Sequence, residues 1–229
     1  WHNFAGIIMD DNVINYNGNK YYVNIYVNKC WSNIDYDSSL INSYLIGIIY
    51  NPSYTNADKS TFATNCYSII EHDYRVKIYS GENKTLGIIL KGNASNCYSK
   101  IWCYFASVAP TANGCIVTMG GIAEQRNSSL TVTNNYGHVR VSGSIIDGTS
   151  TNFKVYLSIG GILSSDDTNI KSSNYAIPYT TDEIKSSLSG TKYTIYNYGT
   201  TSYVTAITKD DFTNGKVCYG LNGNQSNIN

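Results

Sequence analysis

Carboxylates, cysteines, histidines and a large supply of tyrosine are the residues of this chain with chemistry to offer. Acids pair at Asp10-Asp11, Asp35/Asp37, Asp166-Asp167, Asp182-Glu183 and Asp210-Asp211. Two carboxylates roughly 5–9.5 Å apart are the machinery of glycoside hydrolysis. Asp166-Asp167 with Asn169, or Asp10-Asp11 with Asn12, offers the hard oxygens that hold calcium. Acids in loops are more often solvated turn formers, and an Asx-rich turn explains both sites without a metal. The six cysteines, Cys30, Cys66, Cys97, Cys103, Cys115 and Cys218, contain no C-x-x-C pair. His2, His72 and His138 have no zinc-like spacing with them. They read either as small buried apolar side chains or as disulfides, with Cys103–Cys115 the pair nearest in sequence. No metal and no cofactor are expected. Nucleophile-elbow, phosphate-loop, His-Glu-x-x-His and EF-hand signatures are all missing.

Tyrosine suits binding better than catalysis. Its ring stacks on a pyranose while neighbouring Asn amides bond hydroxyls, and no net charge is needed. The chain has 22 Tyr, with 16 Lys+Arg against 16 Asp+Glu, for a formal net charge of zero. A neutral chain lacks the basic footprint of a nucleic-acid binder. Charged residues make up 14%, against roughly 25% in ordinary soluble domains. At 42% hydrophobic the chain is too apolar to be disordered, yet no apolar run approaches the roughly 18–20 residues of a membrane span. The candidate binding residues are Tyr21, Tyr22, Tyr26, Tyr36, Tyr44, Tyr50 and Tyr54, in and around two early polar excursions at 15–20 and 51–59. The competing reading is that these rings only pack loops onto the body of the fold.

The elements that must position these residues are repeats. A Gly-Ile step recurs at Gly6-Ile7, Gly47-Ile48, Gly87-Ile88, Gly121-Ile122 and Gly161-Ile162, spaced 41, 40, 34 and 40 residues apart. Between these steps runs a second motif: Cys or Asn, then an aromatic, then Ser, Gly or Ala. It appears at Cys30-Trp31-Ser32, Cys66-Tyr67-Ser68, Cys97-Tyr98-Ser99, Asn135-Tyr136-Gly137, Asn174-Tyr175-Ala176 and Asn197-Tyr198-Gly199. Short β-prone runs at 22–27, 76–79, 130–133, 139–141, 154–157 and 193–196 are bounded by Gly, Asn, Asp and Ser. One such unit cannot bury its own apolar face, but stacked coils bury one another's.

The fold expected is therefore all-β: a parallel β-solenoid of about five irregular repeats of roughly 34–41 residues. Units start near 4, 45, 85, 119 and 159, the repeat domain covers 1–207, and 208–229 leads to a following domain. Right-handed coiling is expected from the general crossover rule. The glycines are expected to permit a turn, and the isoleucines to fill the core. Cys30, Cys66, Cys97, Asn135, Asn174 and Asn197 form one structural ladder; Trp31, Tyr67, Tyr98, Tyr136, Tyr175 and Tyr198 form another. Neighbours on a strand face opposite ways, so at most one ladder points inward, and which one stays open. Thr180 and Glu183 have capping-box spacing, with Gly190 as a stop, which predicts a short helix over 181–189 covering the open end of the stack.

The form Gly-Gly-Ile…Asn-x-Tyr-Gly-x-Val, clearest over 120–143, resembles the GLUG motif, a short repeat of large bacterial cell-surface proteins that is expected to build a β-solenoid. The resemblance spans roughly residues 4–200. Residues 215–226 look like the segment G-x-V-x-Y-x-L-N-G-x-Q-S that often follows such arrays. The resemblance implies surface display and adhesion, and it supplies no catalytic residues. Both chain ends read as cuts in a longer polypeptide, with any export signal outside it.

The repeat also judges the acids. Asp10-Asp11 and Asp166-Asp167 follow Gly-Ile steps at similar offsets, but in the first and fifth units. At about 4.8 Å per coil they lie ~19 Å apart, too far to cooperate. The intervening equivalents, Pro52, Gly92 and Arg126, carry no acid. The expected role is therefore non-catalytic: an adhesive or spacer segment of an exported bacterial protein, at the cell surface or outside it. Its partners would be a glycan or a host or bacterial surface protein, not nucleic acid, and this segment would not span a membrane. The rival for such a scaffold is a β-helical polysaccharide lyase or glycoside hydrolase.

Overall fold

The computed structural model describes residues 2–9, 13–22, 24–38, 43–51, 61–75, 77–78, 81–111, 114–124, 131–146, 153–165, 174–198 and 204–221. The chain winds repeatedly through three parallel sheets, as the repeat requires. The first sheet stacks His2–Ala5, Ser43–Ile46, Gly81–Leu86, Cys115–Gly120, Val155–Gly160 and Tyr193–Asn197 in that order. The expected unit starts near 4, 45, 85, 119 and 159 each fall inside one of its strands. The second sheet stacks Trp31–Ser38, Tyr67–Tyr74, Tyr98–Pro110, Tyr136–Ile145, Asn174–Ala176 and Val204–Ala206. The third and narrowest runs Ile25–Asn28, Thr61–Thr64, Asn93–Ser95 and Val132–Thr133. The chain is thus a β-solenoid, built almost wholly of parallel pairs in register.

Two apolar interiors fill it. One lies between the first and second sheets and holds Leu45, Ile70, Ile101, Phe105, Val117, Val141 and Leu157. The other joins the Gly-Ile corners to the third sheet through Ile49, Ile89, Ala123 and Leu163, which pair coil to coil, and through Ala63, Ala94 and Val132. Each fully buried Ile or Leu contributes roughly 1.5–3 kcal/mol.

The two sequence motifs meet across this second interior. Ser32 Oγ donates to the carbonyl of Gly47 at 2.6 Å. Ser68 donates to the Gly87 carbonyl and Ser99 to that of Gly121 in the same way. In the next coil Gly137 replaces the serine, and a Cβ there would strike the Gly161 carbonyl. The Gly-Ile steps are bends, as expected, and a Cβ there is barred by crowding rather than by φ. Gly6, Gly47, Gly87, Gly121 and Gly161 all lie outside the positive-φ region. At Gly6, Gly47 and Gly87 a carbonyl and a serine crowd the space a side chain would need; at Gly121 the Gly161 carbonyl does so, and at Gly161 the Ala176 side chain. The positive-φ corner stands one residue before the Cys/Asn step, at Lys29, Asn65, Asn96 and Asn134, with φ from 52° to 55°. Asn tolerates that conformation better than most residues.

The question of the ladders is answered by burial. Cys66, Cys97, Asn135 and Asn174 are buried and face inward, so the aromatics face outward. Cys97 Sγ contacts the Ala63 carbonyl of the preceding coil at 3.5 Å, and Asn135 Nδ2 and Asn174 Nδ2 donate to Ala94 O and Val132 O at 3.0 and 2.8 Å. The amides add what a thiol lacks: Asn135 Oδ1 accepts from Cys97 N, and Asn174 Oδ1 accepts from Asn135 Nδ2. Trp31, Tyr67, Tyr98, Tyr136 and Tyr175 align in register on successive strands. Asn197 and Tyr198 do not continue the ladders. Asn197 pairs with Ile159 in the first sheet, and Val204 and Thr205 take the sixth positions instead. Their grammar matches the motif, but they end the first-sheet strand of the next coil, before the chain has come round to the second sheet again.

Cys30, Cys66, Cys97, Cys103 and Cys115 are free thiols, so the Cys103–Cys115 disulfide considered above is not formed. Burial pushes the Cys103 thiol up to about 12. Cys66 is lowered to about 7, chiefly by the hydrogen bond from Cys97.

Helix α1, Thr181–Ser187, carries the expected capping box: Glu183 N donates to Thr180 Oγ1 and Thr180 N to Glu183 Oε2. It lies where Asn174–Ala176 and Leu188–Ser189 leave the middle of strand Tyr136–Ile145 without a strand neighbour, and it packs Ile184 there. A hairpin and two C-terminal helices lie outside the sequence expectations. Val13–Tyr16 and Asn19–Tyr22 form an antiparallel hairpin around Asn17-Gly18, both at positive φ, within the first polar excursion. Helices α2, Lys209–Thr213, and α3, Lys216–Leu221, fold back on Tyr136, with Val217 and Ile207 buried against it. Among the described residues no helix is long and apolar enough to cross a membrane.

Candidate functional site

The outward face of the second sheet is where exposed, chemically able side chains collect. Alternation on the strand Tyr98–Pro110 turns Ser99, Ile101, Cys103 and Phe105 inward, leaving Lys100, Trp102 and Tyr104 outside. Register then stacks outward columns across the coils. One reads Asp35, Glu71, Trp102, Arg140; the next reads Asp37, Asp73, Tyr104, Ser142; a third reads Asn33, Ile69, Lys100, His138. Trp31 and Tyr67 stack at 5.9 Å with rings 9° from parallel. Trp31 is 60% exposed and Trp102 48%. Further along, the aromatic column is covered: Tyr136 and Tyr175 stack at 4.7 Å under α3.

Of the residues expected to bind, Tyr26 is exposed, its ring 4.8 Å from that of Phe62 and 6° from parallel. Tyr21 and Tyr22 lie on the second hairpin strand, and Tyr54 lies outside the described residues. Tyr36 turns inward and packs between Phe4 and His72. Tyr50 is only 7% exposed, packed with Ile46, Leu86 and Leu90. Tyr36 and Tyr50 are therefore packing residues. Tyr44 sits above Lys84, its hydroxyl donating to Glu82 at 3.4 Å.

The acids sort as clearly. Asp10-Asp11 and Asp166-Asp167 lie outside the described residues. Asp182-Glu183 and Asp210-Asp211 open helices, and Asp211 also pairs with Lys216 at 2.9 Å. Asp35 and Asp37 lie on a strand, not a turn, and each neighbours a further acid, Glu71 or Asp73. Arg75 binds Asp37 at 2.7 Å and Asp73 at 3.2 Å. Glu71 and Asp73 were missed because the run 67–74 was not read as a strand. Exposure alternates strictly along it and along 98–105, but the sequences YSIIEHDY and YSKIWCYF carry no matching apolar-polar alternation to announce Glu71, Asp73, Lys100 or Trp102.

A separate charged cluster is buried outside the first sheet. Lys84, 1% exposed, binds Glu124 at 2.7 Å and Glu82 at 2.8 Å. Glu124 is itself buried, 40 residues away in sequence. The charges are satisfied by each other, so the cluster is structural. Lys84→Ala is expected to cost about 3–5 kcal/mol in urea unfolding, since it leaves a buried carboxylate without its cation. Lys84→Met with Glu124→Leu should recover most of that loss. If the single variant unfolds like the parent, the pair is not holding the coils.

Among the described residues no group of three or more His, Cys, Asp or Glu is placed to hold a metal. No family model, curated protein or solved structure matches the chain.

Proposed function

We propose that this chain is a non-catalytic, GLUG-type repeat domain of an exported bacterial protein, displayed at the surface and binding glycan through the outward face of the second sheet. The observation that carries this reading is the placement of Trp31, Tyr67, Trp102 and Tyr104, exposed on a rigid parallel sheet in fixed register. Aromatic rings held in fixed register cost little entropy to use, and Asn33, Asp35 and Ser142 beside them offer hydroxyl partners. The stack also acts as a spacer, setting the face at a distance from its attachment.

The enzymatic rival finds its support in the stacking of Asp35 beside Glu71 and Asp37 beside Asp73, about 4.8 Å apart in backbone spacing. Against it, Arg75 ties up the second pair. General-acid work also asks for a carboxyl shielded from water, and Asp35 and Glu71 are exposed. A glycan array run beside a reducing-sugar assay separates the readings. Binding without turnover is expected, with Trp31→Ala plus Trp102→Ala raising Kd at least about tenfold. Turnover that disappears in Asp35→Asn would establish the rival.

A further inference from the structure

The outward face of the second sheet changes sign along the stack. Its first two coils carry Asp35, Asp37, Glu71 and Asp73; the next two carry Arg140 in the column of Asp35 and Glu71, and Lys100 and His138 in the adjacent column of Asn33 and Ile69. The basic residues line a cavity of about 340 Å³ together with Trp102, Ser142, Tyr179 and Ser187. That volume lies at the lower end of the roughly 300–1,000 Å³ usual for small-ligand sites.

The cavity's cation is held in place by the protein. Arg140 donates through one terminal nitrogen to Val139 O at 2.8 Å and through the other to Pro178 O at 3.2 Å. Its Cζ lies over the Tyr179 ring, 4.4 Å from the centroid, and Tyr179 is fixed in turn by donating to Val141 O at 2.7 Å. A guanidinium has five N–H donors, so three remain for a ligand. Glu183, the carboxylate near Arg140, is engaged by Thr180 N and Oγ1 in the helix cap. Lys100 makes no ion pair among the described residues and is exposed. His138 is held neutral, lowered to about 4 by burial first and then by Arg140, Lys100 and Lys209. The indole of Trp102 is tied down by donating to Ser142 at 2.9 Å, leaving its ring exposed.

We propose that this cavity binds the carboxylate-bearing residue of an acidic saccharide, the carboxylate meeting Arg140 and Lys100 and the sugar ring lying on Trp102. Arg offers planar paired donors that match a carboxylate, and the adjoining aromatic supplies the apolar half of a sugar site. The inference rests on the glycan-binding reading above and narrows it to a charge class and a position on the face.

The test uses ligands that differ only in the carboxylate. Oligogalacturonate against its methyl ester, and sialyllactose against lactose, are titrated onto the purified chain at low and at 150 mM salt. At least one acidic member is expected to bind about tenfold tighter than its neutral partner, with salt narrowing the gap. Arg140→Gln should erase the preference. Because Arg140 also holds the Pro178 carbonyl, Lys100→Gln serves as the second variant, expected to weaken acidic binding severalfold at an unchanged melting temperature. Neutral and acidic members bound equally, and indifferently to both substitutions, would overturn the acidic site while leaving the glycan face intact. Binding of no saccharide at all would overturn both.

Discussion

Gly87→Ala is expected to abolish the native fold, or to leave it destabilised by at least about 3 kcal/mol. A Cβ on Gly87 would fall inside the contact distance of the Gly121 carbonyl oxygen, of Ser99 Oγ and of Ser99 Cβ. The first belongs to the backbone of the next coil and cannot rotate aside. Leu86 and Ile88 on either side are fully buried, so the segment has no solvent to retreat into. Relief requires the coils to separate, which breaks Gly87 N to Gly120 O and the Ser99 bond together. Gly114→Ala is the control. Nothing lies within 4 Å of its Cβ site, and only its φ of +79° resists the change, worth about 1–2 kcal/mol. Circular dichroism and urea unfolding of the two variants read the difference. Equal stability of both would mean that the Gly121 carbonyl and Ser99 do not bar a side chain at this bend.

The second large effect is on pH. His72 is fully buried on the inner face of the second sheet, 2.8 Å from Thr85 Oγ1 and stacked on Tyr74. Burial lowers its pKa from 6.5 to about 3. Below pH 6.5 the unfolded chain therefore takes up a proton that the folded chain refuses. Stability from this residue is complete above pH 6.5 and is lost as pH falls toward 3, by about 1.4 kcal/mol per pH unit and about 5 kcal/mol in all. That is a third or more of an ordinary domain's stability. His138, lowered to about 4 by burial and by its cationic neighbours, adds to the loss with the same sign. Glu183 and Asp211, lowered by their helix-cap and lysine bonds, act in the same direction at lower pH. Urea unfolding at pH 7.5, 5.5 and 4.5 should show a steep acid limb, and His72→Gln should flatten it. Parallel limbs in parent and variant would remove His72 as the cause.

The parts of the fold that were legible in the sequence are those set by tight, repeated contacts. Gly6, Gly47 and Gly87 recur because each faces a serine and a carbonyl; Tyr67 and Tyr98 recur because each occupies the same outward position. The helix over 181–189 was legible because a capping box is local. An equally local signal, Thr208 with Asp211, marks α2, and Asn17-Gly18 marks the hairpin; both are plain once sought. Asn197-Tyr198 misled because motif grammar carries no register: the segment ends a first-sheet strand, and Val204-Thr205 hold the next positions of the ladders. For the candidate site, Asp35, Trp31 and Tyr67 were visible one by one. Their meeting with Glu71, Trp102 and Arg140 depends on stacking, as does that of Lys84 with Glu124. Such partners lie about one coil apart, and local spacing does not announce them.

The serine-to-glycine contact has one more consequence. Each hydroxyl reaches a carbonyl one coil ahead, so the molecule keeps count in whole turns. A lineage can lengthen or shorten it by complete units, each worth about 4.8 Å of reach, and can vary the loops between them freely. A fractional unit would put Ile where Gly must stand and jam the column. The protein is in this sense a ruler with fixed graduations, whose length is open to selection and whose phase is not.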